Sequence, residues 1–217
     1  MGPWQANTYL VGVEGTGECV VVDPGVLAFD PVKQIVESES LTVRGVLLTH
    51  GHIDHVACAA DVADHYGVPA WLHHSDRELL SDPGPGLRSA LTAAGLRIDL
   101  REPADLRLLY GGETIAAAGL EFFVAHAPGH RPGCVMFRVG PGEPGEIVFT
   151  GDVVFAGSIG RTDLPGGDPD VMIESLRDVV LQLPDSAALL PGHGERTTMA
   201  RERSTNPFLQ ASFLRNI

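Results

Sequence analysis

Cysteine and lysine are the scarce residues of this chain, and each scarcity excludes something. There are three cysteines, Cys19, Cys58 and Cys134, spread over 217 residues. They are too few and too scattered for a disulfide framework, fit a reducing cytoplasm, and read as small buried side chains. Lys33 is the single lysine, and no run of Lys or Arg occurs. A formal net charge of −13 repels nucleic-acid phosphates, so no nucleic-acid partner is expected. No apolar run approaches the roughly 18 residues that a membrane span needs. The start, Met1-Gly2-Pro3-Trp4-Gln5, has no basic segment followed by an apolar stretch, so the expected location is the cytoplasm. What the chain does have is core material. Hydrophobic residues make up 44%, which argues against disorder.

Histidine and aspartate then concentrate in one place. Residues 49 to 55 read Thr-His-Gly-His-Ile-Asp-His, so His50, His52, Asp54 and His55 offer four potential metal ligands within six positions. The preceding run, Val43 to Thr49, is apolar and β-branched and reads as a buried strand. The following run, Val56 to Tyr66, has apolar residues at helical spacing and stops at Gly67. The cluster is therefore expected on a strand-to-helix loop, where a rigid scaffold presents several ligands to one point. Imidazole and carboxylate together suit zinc, iron or manganese.

The rest of the chain alternates strands and helices. Asn7 to Val13 and Glu18 to Asp23 flank Glu14-Gly15-Thr16-Gly17 and predict a hairpin. Asp30 to Ser38 reads as a helix with Asp30 as N-cap. Pro69 to His73 reads as a strand, and a helical piece is expected near Leu87 to Ala94. Short strands follow at Leu106 to Tyr110, Thr114 to Ala116, Leu120 to His126, Cys134 to Val139 and Ile147 to Asp152. Asp170 to Leu183 is an amphipathic helix by its spacing of Val171, Ile173, Leu176, Val179, Val180 and Leu183. Ala187 to Leu190 closes the strands and Phe208 to Leu214 the helices. Two halves with this rhythm suggest two packed sheets with helices outside. No linker composition separates them, so residues 1–217 read as one domain.

Three later segments share one grammar, an apolar strand ending in a potential ligand on a Gly- or Pro-containing loop. They are His126-Ala127-Pro128-Gly129-His130-Arg131-Pro132-Gly133, Phe149-Thr150-Gly151-Asp152 and Leu189-Leu190-Pro191-Gly192-His193-Gly194. The order His-x-His-x-Asp-His, Pro-Gly-His, Thr-Gly-Asp, Pro-Gly-His resembles the metallo-β-lactamase fold superfamily across nearly the whole chain. The segment from Gly157 to Asp168, with Gly160-Arg161-Thr162-Asp163, resembles its glyoxalase II-like branch, the relatives of hydroxyacylglutathione hydrolase. That branch's C-terminal helical domain, which holds glutathione, has no counterpart before Ile217.

The resemblance implies an α+β fold, a four-layer αββα sandwich of two mixed β-sheets with helices on both outer faces. It implies two divalent ions, zinc first, with iron or manganese as alternatives. His50, His52 and His130 would hold one ion and Asp54, His55 and His193 the other, with Asp152 bridging. Two such ions about 3.5 Å apart repel by roughly 19 kcal/mol at an effective dielectric of ~20, so anionic ligands must lie between them. Asp54 and Asp152 are the carboxylates with a catalytic part. The implied activity is hydrolysis of a small-molecule thioester, an S-2-hydroxyacyl-thiol, by attack of a metal-bridging hydroxide. Rival readings are a mononuclear iron persulfide dioxygenase, a lactone or other ester hydrolase, and a non-catalytic metal-binding protein. Around the donor set, Asp23 reads as a turn former or as a hydrogen-bond partner of a ligand. His126 reads as orienting His130 or as packing. Arg161 reads either as the salt-bridge partner of Asp163 or as the contact for a substrate carboxylate. The expected partner is the thioester alone, with a homodimer as an open option.

Overall fold

The computed structural model describes residues 2–84, 93, 95 and 98–214. It divides into two compact units, one of residues 1–109 and 117–120, the other of residues 110–116 and 121–217.

The first unit is built on a five-stranded mixed sheet in the order β1 (Tyr9–Val11), β2 (Glu18–Val22), β3 (Thr42–Leu47), β4 (Ala70–His73), β5 (Leu106–Leu109). The β1–β2 hairpin is antiparallel, as the Gly15–Gly17 turn predicts, and the remaining pairs are parallel. Parallel strands tend to be buried on both faces, which is why β2 ends in the buried run Val20-Val21-Val22, whereas β3 alternates from Thr42 to Gly45 before its buried Val46 and Leu47. Helix α1 (Phe29–Ser38) buries Val32 and Val36, and α3 (Ala59–Tyr66) buries Ala59, Ala60, Val62 and Ala63. All of these but Ala60 join Val21, Val46, Leu48 and Leu72 in one core. Each fully buried Val or Leu there contributes about 2 kcal/mol. Gly67 ends α3 in the left-handed region at φ 64°, a conformation a side chain would strain.

The second unit carries a six-stranded mixed sheet in the order β13 (Thr197–Thr198), β12 (Ala188–Pro191), β9 (Ile147–Gly151), β8 (Val135–Val139), β7 (Leu120–His126), β6 (Thr114–Ala117). Strands β12 and β9 run parallel, while β7–β8, β8–β9 and β12–β13 are antiparallel. A small hairpin, β10 (Val154–Phe155) with β11 (Ser158–Ile159), follows β9. Helix α4 (Pro169–Asp178) starts at Asp168, whose carboxylate accepts from the N–H groups of Asp170 and Val171. With Pro169 in its first turn, this is a well-signalled start. Met172 and Leu176 of α4 pack with Met136, Val148, Leu189 and Met199.

Several expected boundaries move. The helix expected over Val56–Tyr66 is two pieces, α2 (Ile53–Val56) and α3, so Asp54 and His55 sit on a short helix and not on the loop before one. Asp30 is not an N-cap: α1 starts after Ala28 without a side-chain cap, and Asp30 lies in its first turn. The helix expected to reach Leu183 ends at Asp178 and continues as a 3₁₀ turn over Val180–Gln182. Helix α5 (Met199–Thr205) has no sequence expectation, and α6 (Ala211–Leu214) follows a 3₁₀ turn over Pro207–Leu209. The helical piece expected near 87–94 lies, Ala93 apart, outside the described residues. Among the described residues, no helix is long and apolar enough to cross a membrane.

Candidate metal centre

The first unit carries four of the seven expected donors and the second three, on the segments that follow their strands. In the first unit the chain leaves β3 through Leu48 and Thr49, turns at His50-Gly51-His52, and enters α2 with Asp54 and His55. His50 and His55 are fully buried. Their rings lie 4.2 Å apart, and His50 Nε2 stands 3.2 Å from His52 Nδ1. His55 Nε2 faces Asp54 Oδ2 at 3.7 Å.

Asp23 organises this half from below. It is buried, in the left-handed region at φ 50°. Its Oδ1 accepts from the Thr49 N–H at 2.8 Å, and its Oδ2 accepts from the Thr49 hydroxyl at 2.6 Å and from His55 Nδ1 at 2.9 Å. A carboxylate only accepts, so the His55 proton sits on Nδ1 and the Nε2 lone pair is directed at Asp54. Asp23 is therefore more than a turn former. Asp76, also buried, accepts from the Gly51 N–H at 2.8 Å and fixes the turn between His50 and His52.

In the second unit, His130 leaves β7, Asp152 leaves β9 and His193 leaves β12. The last two converge because β9 and β12 are parallel neighbours, and the Gly192 N–H extends their pairing to the Gly151 carbonyl at 2.8 Å. His130 Nε2 and His193 Nε2 each lie 3.5 Å from the same oxygen, Asp152 Oδ2. His130 Nδ1 donates to the Arg161 carbonyl at 2.7 Å, which again turns the Nε2 lone pair toward the carboxylate.

These separations test whether a metal fits. Two metal–ligand bonds of about 2.1 Å meeting at about 110° place their donor atoms about 3.4 Å apart. The two pairs on Asp152 match that span and are too long for strong hydrogen bonds. One oxygen shared between two such pairs fits three donors around one ion as well as a carboxylate between two. The donor chemistry, neutral imidazole with carboxylate and no thiolate, suits a divalent ion.

Other expected residues have different occupations. The Arg161 guanidinium makes a two-pronged pair with Asp163, at 2.7 and 2.6 Å, both side chains exposed. That pair holds the Asp163 carboxyl down at about 2. His126 Nε2 meets the Pro132 carbonyl at 2.8 Å and braces the loop on which His130 sits. The three cysteines are buried, and burial pushes the Cys19 and Cys58 thiols up, the reverse of an activated nucleophile.

Sequence reading missed two glycines. A Cβ on Gly25 would collide with the Asp54 carbonyl oxygen, and one on Gly160 with that of Asp152. The main chain carrying each carboxylate donor is thus held against a glycine. Gly25→Ala and Gly160→Ala are each expected to displace a donor, and a shift near 1 Å costs on the order of 100-fold in rate. Metal content and turnover of the two variants check this. Wild-type values in both would show that the neighbours give way freely.

Two mixed sheets with helices, carrying histidine and carboxylate donors at their strand ends, define a metallo-hydrolase class of α+β protein. The chain belongs to the metallo-β-lactamase superfamily, whose family model ("Metallo-beta-lactamase superfamily") matches residues 1–193. The superfamily binds metal ions, in keeping with the donors above. "Hydroxyacylglutathione hydrolase GloC" of Haemophilus influenzae is 37% identical over 191 residues, covering 88% of this chain and 87% of that protein. The solved structure of BLEG-1 B3 metallo-beta-lactamase superposes with a TM-score of 0.85 at 36% identity, over 97% of each chain. TTHA1623 in a di-iron-bound form superposes with a TM-score of 0.79 at 38% identity, over 96% of this chain and 98% of that one.

Proposed function

We propose that this protein is a binuclear hydrolase of small-molecule thioesters, of the S-2-hydroxyacyl-thiol class. The observation that carries the reading is the number of potential donors, four in the first unit and three in the second, with Asp152 Oδ2 at 3.5 Å from two imidazole nitrogens at once. Three donors about one ion would give the same two separations, but an oxygenase site of two histidines and one carboxylate leaves four of the seven expected donors idle, which weighs against the persulfide dioxygenase reading. The similarity to GloC supports the thioester.

His50, His52 and His130 would hold one ion, and Asp54, His55 and His193 the other, with Asp152 common to both and residues 1–217 acting as one functional domain. Two divalent ions, zinc first, supply there Lewis acidity and a water acidified to near neutral pH. The similarity to a di-iron protein keeps iron as the alternative. The residues of the chain do the rest. Asp23 and the Arg161 carbonyl keep the Nδ1 protons of His55 and His130 away from the centre. Asp54, half-buried, would orient the attacking hydroxide as well as hold its ion. The leaving thiol, with an ordinary pKa of about 8.5, departs as a thiolate without a dedicated acid. Arg161, exposed on the loop after β11 and paired there with Asp163, would meet a substrate carboxylate by exchanging that partner. Three buried cysteines with no disulfide among them fit a cytoplasmic location, and the net charge of −13 disfavours nucleic acid.

The test is elemental analysis of the purified protein together with a hydrolysis panel of S-lactoylglutathione, other acyl thioesters, a lactone and a β-lactam. Close to two ions per chain and a preference for 2-hydroxyacyl thioesters are expected. One iron per chain with oxygen uptake on glutathione persulfide would replace this reading with the oxidative one. A preference for the β-lactam would replace it with the activity in the name of BLEG-1.

A further inference from the structure

Near the end of the second unit, three polar side chains outside the donor set are buried together. Glu202, on α5, is fully buried, as is Asn206, and Thr197 nearly so. Glu202 Oε1 accepts from the Thr197 hydroxyl at 2.6 Å. Its Oε2 accepts from the Gly157 N–H at 2.7 Å and from Asn206 Nδ2 at 2.9 Å. Asn206 Nδ2 also donates to the Ser158 carbonyl at 3.0 Å.

What these bonds tie together gives them a purpose. Gly157 and Ser158 belong to the β10–β11 hairpin, which begins two residues after Asp152. Phe155 of that hairpin meets the His193 ring edge-on, with centroids 6.0 Å apart. Thr197 opens β13, which returns antiparallel along β12, the strand that delivers His193. One carboxylate thus anchors both the segment leaving Asp152 and the segment leaving His193. The family match ends at residue 193, so the anchor lies beyond it.

We propose that Glu202 is a positioning residue that sets the separation of His193 Nε2 from Asp152 Oδ2, and with it the affinity of the ion His193 holds. The proposal rests on the binuclear reading above. Glu202 touches no donor; it acts through the hairpin and through Thr197. A glutamine at this position presents one acceptor where the carboxylate presents two, so either the Thr197 hydroxyl or the Gly157 and Asn206 N–H groups lose theirs.

The test uses the full chain, stripped of metal and titrated with zinc in competition with a chromophoric chelator. Glu202→Gln and Thr197→Val are expected to bind the first ion as wild type does and the second about 10- to 100-fold more weakly. Thr197→Ser, which keeps the hydroxyl, is expected to stay near wild type. Turnover lost by the two weak variants at limiting zinc should return with excess zinc. Wild-type affinity for both ions in folded Glu202→Gln and Thr197→Val would overturn the proposal. So would equal weakening of both ions, the mark of a merely structural role. If Glu202→Gln does not fold, the Thr197→Val and Thr197→Ser pair decides by the same criteria. A wild-type protein that takes up fewer than two ions overturns the binuclear reading itself, a result distinct from any of these.

Discussion

Asp152→Ala is expected to lower kcat/KM for the best thioester by on the order of a thousandfold and to leave fewer than two ions bound per chain. The carboxylate is shared: the same Oδ2 stands 3.5 Å from His130 Nε2 and from His193 Nε2. On the two-ion reading, removing it would take a ligand from both ions and the negative charge that offsets their repulsion, roughly 19 kcal/mol at 3.5 Å and an effective dielectric of ~20. The fold should persist, because Asp152 leaves the sheet just after Gly151 and lies outside the apolar core of its unit. Kinetics and elemental analysis on one preparation check both halves of the expectation. Wild-type turnover with two ions retained would remove Asp152 from the centre.

Asp23→Asn should be nearly as damaging, by a different route. Asparagine tolerates the left-handed backbone at φ 50°, so the turn survives the exchange. What is lost is an acceptor. Asp23 accepts three hydrogen bonds, two from Thr49 and one from His55 Nδ1. If the amide nitrogen takes the place of Oδ2, the proton of His55 shifts to Nε2 and blocks the atom that faces Asp54. If the amide nitrogen takes the place of Oδ1, it confronts the Thr49 N–H, a buried donor left without an acceptor at a cost of about 1–3 kcal/mol. Partners of this kind are worth about 10- to 100-fold in metal affinity. Zinc titration beside a thermal unfolding curve separates the two routes. A variant with unchanged affinity and unchanged unfolding would show that Asp23 does not select the tautomer.

Much of this arrangement was readable from the residues, and the exceptions have causes. Strand β7 runs from Leu120 to His126 as expected, because its apolar residues end at an Ala-Pro-Gly turn. The donor-bearing turns were readable for the same reason: glycine and proline sit where each strand must stop. The break between α2 and α3 was not, since the helical spacing of apolar residues runs through Ala57 and Cys58 without a fault. Helix α5 was invisible because its inward face carries Met199 and Glu202, and a glutamate in a polar stretch reads as solvated. The partner of His130 had no signature at all, because it is a main-chain carbonyl that any residue at 161 would provide. Asp76 lies 25 positions from the N–H it accepts, a distance no local pattern spans.

That main-chain carbonyl has an evolutionary consequence. The bond that steers His130 survives any exchange of the side chain at 161, and the guanidinium there pairs with the exposed Asp163. Descendants of this chain can therefore try new chemistry at that position, acquiring or discarding an affinity for acidic molecules, while the histidine's steering bond stays intact at every step.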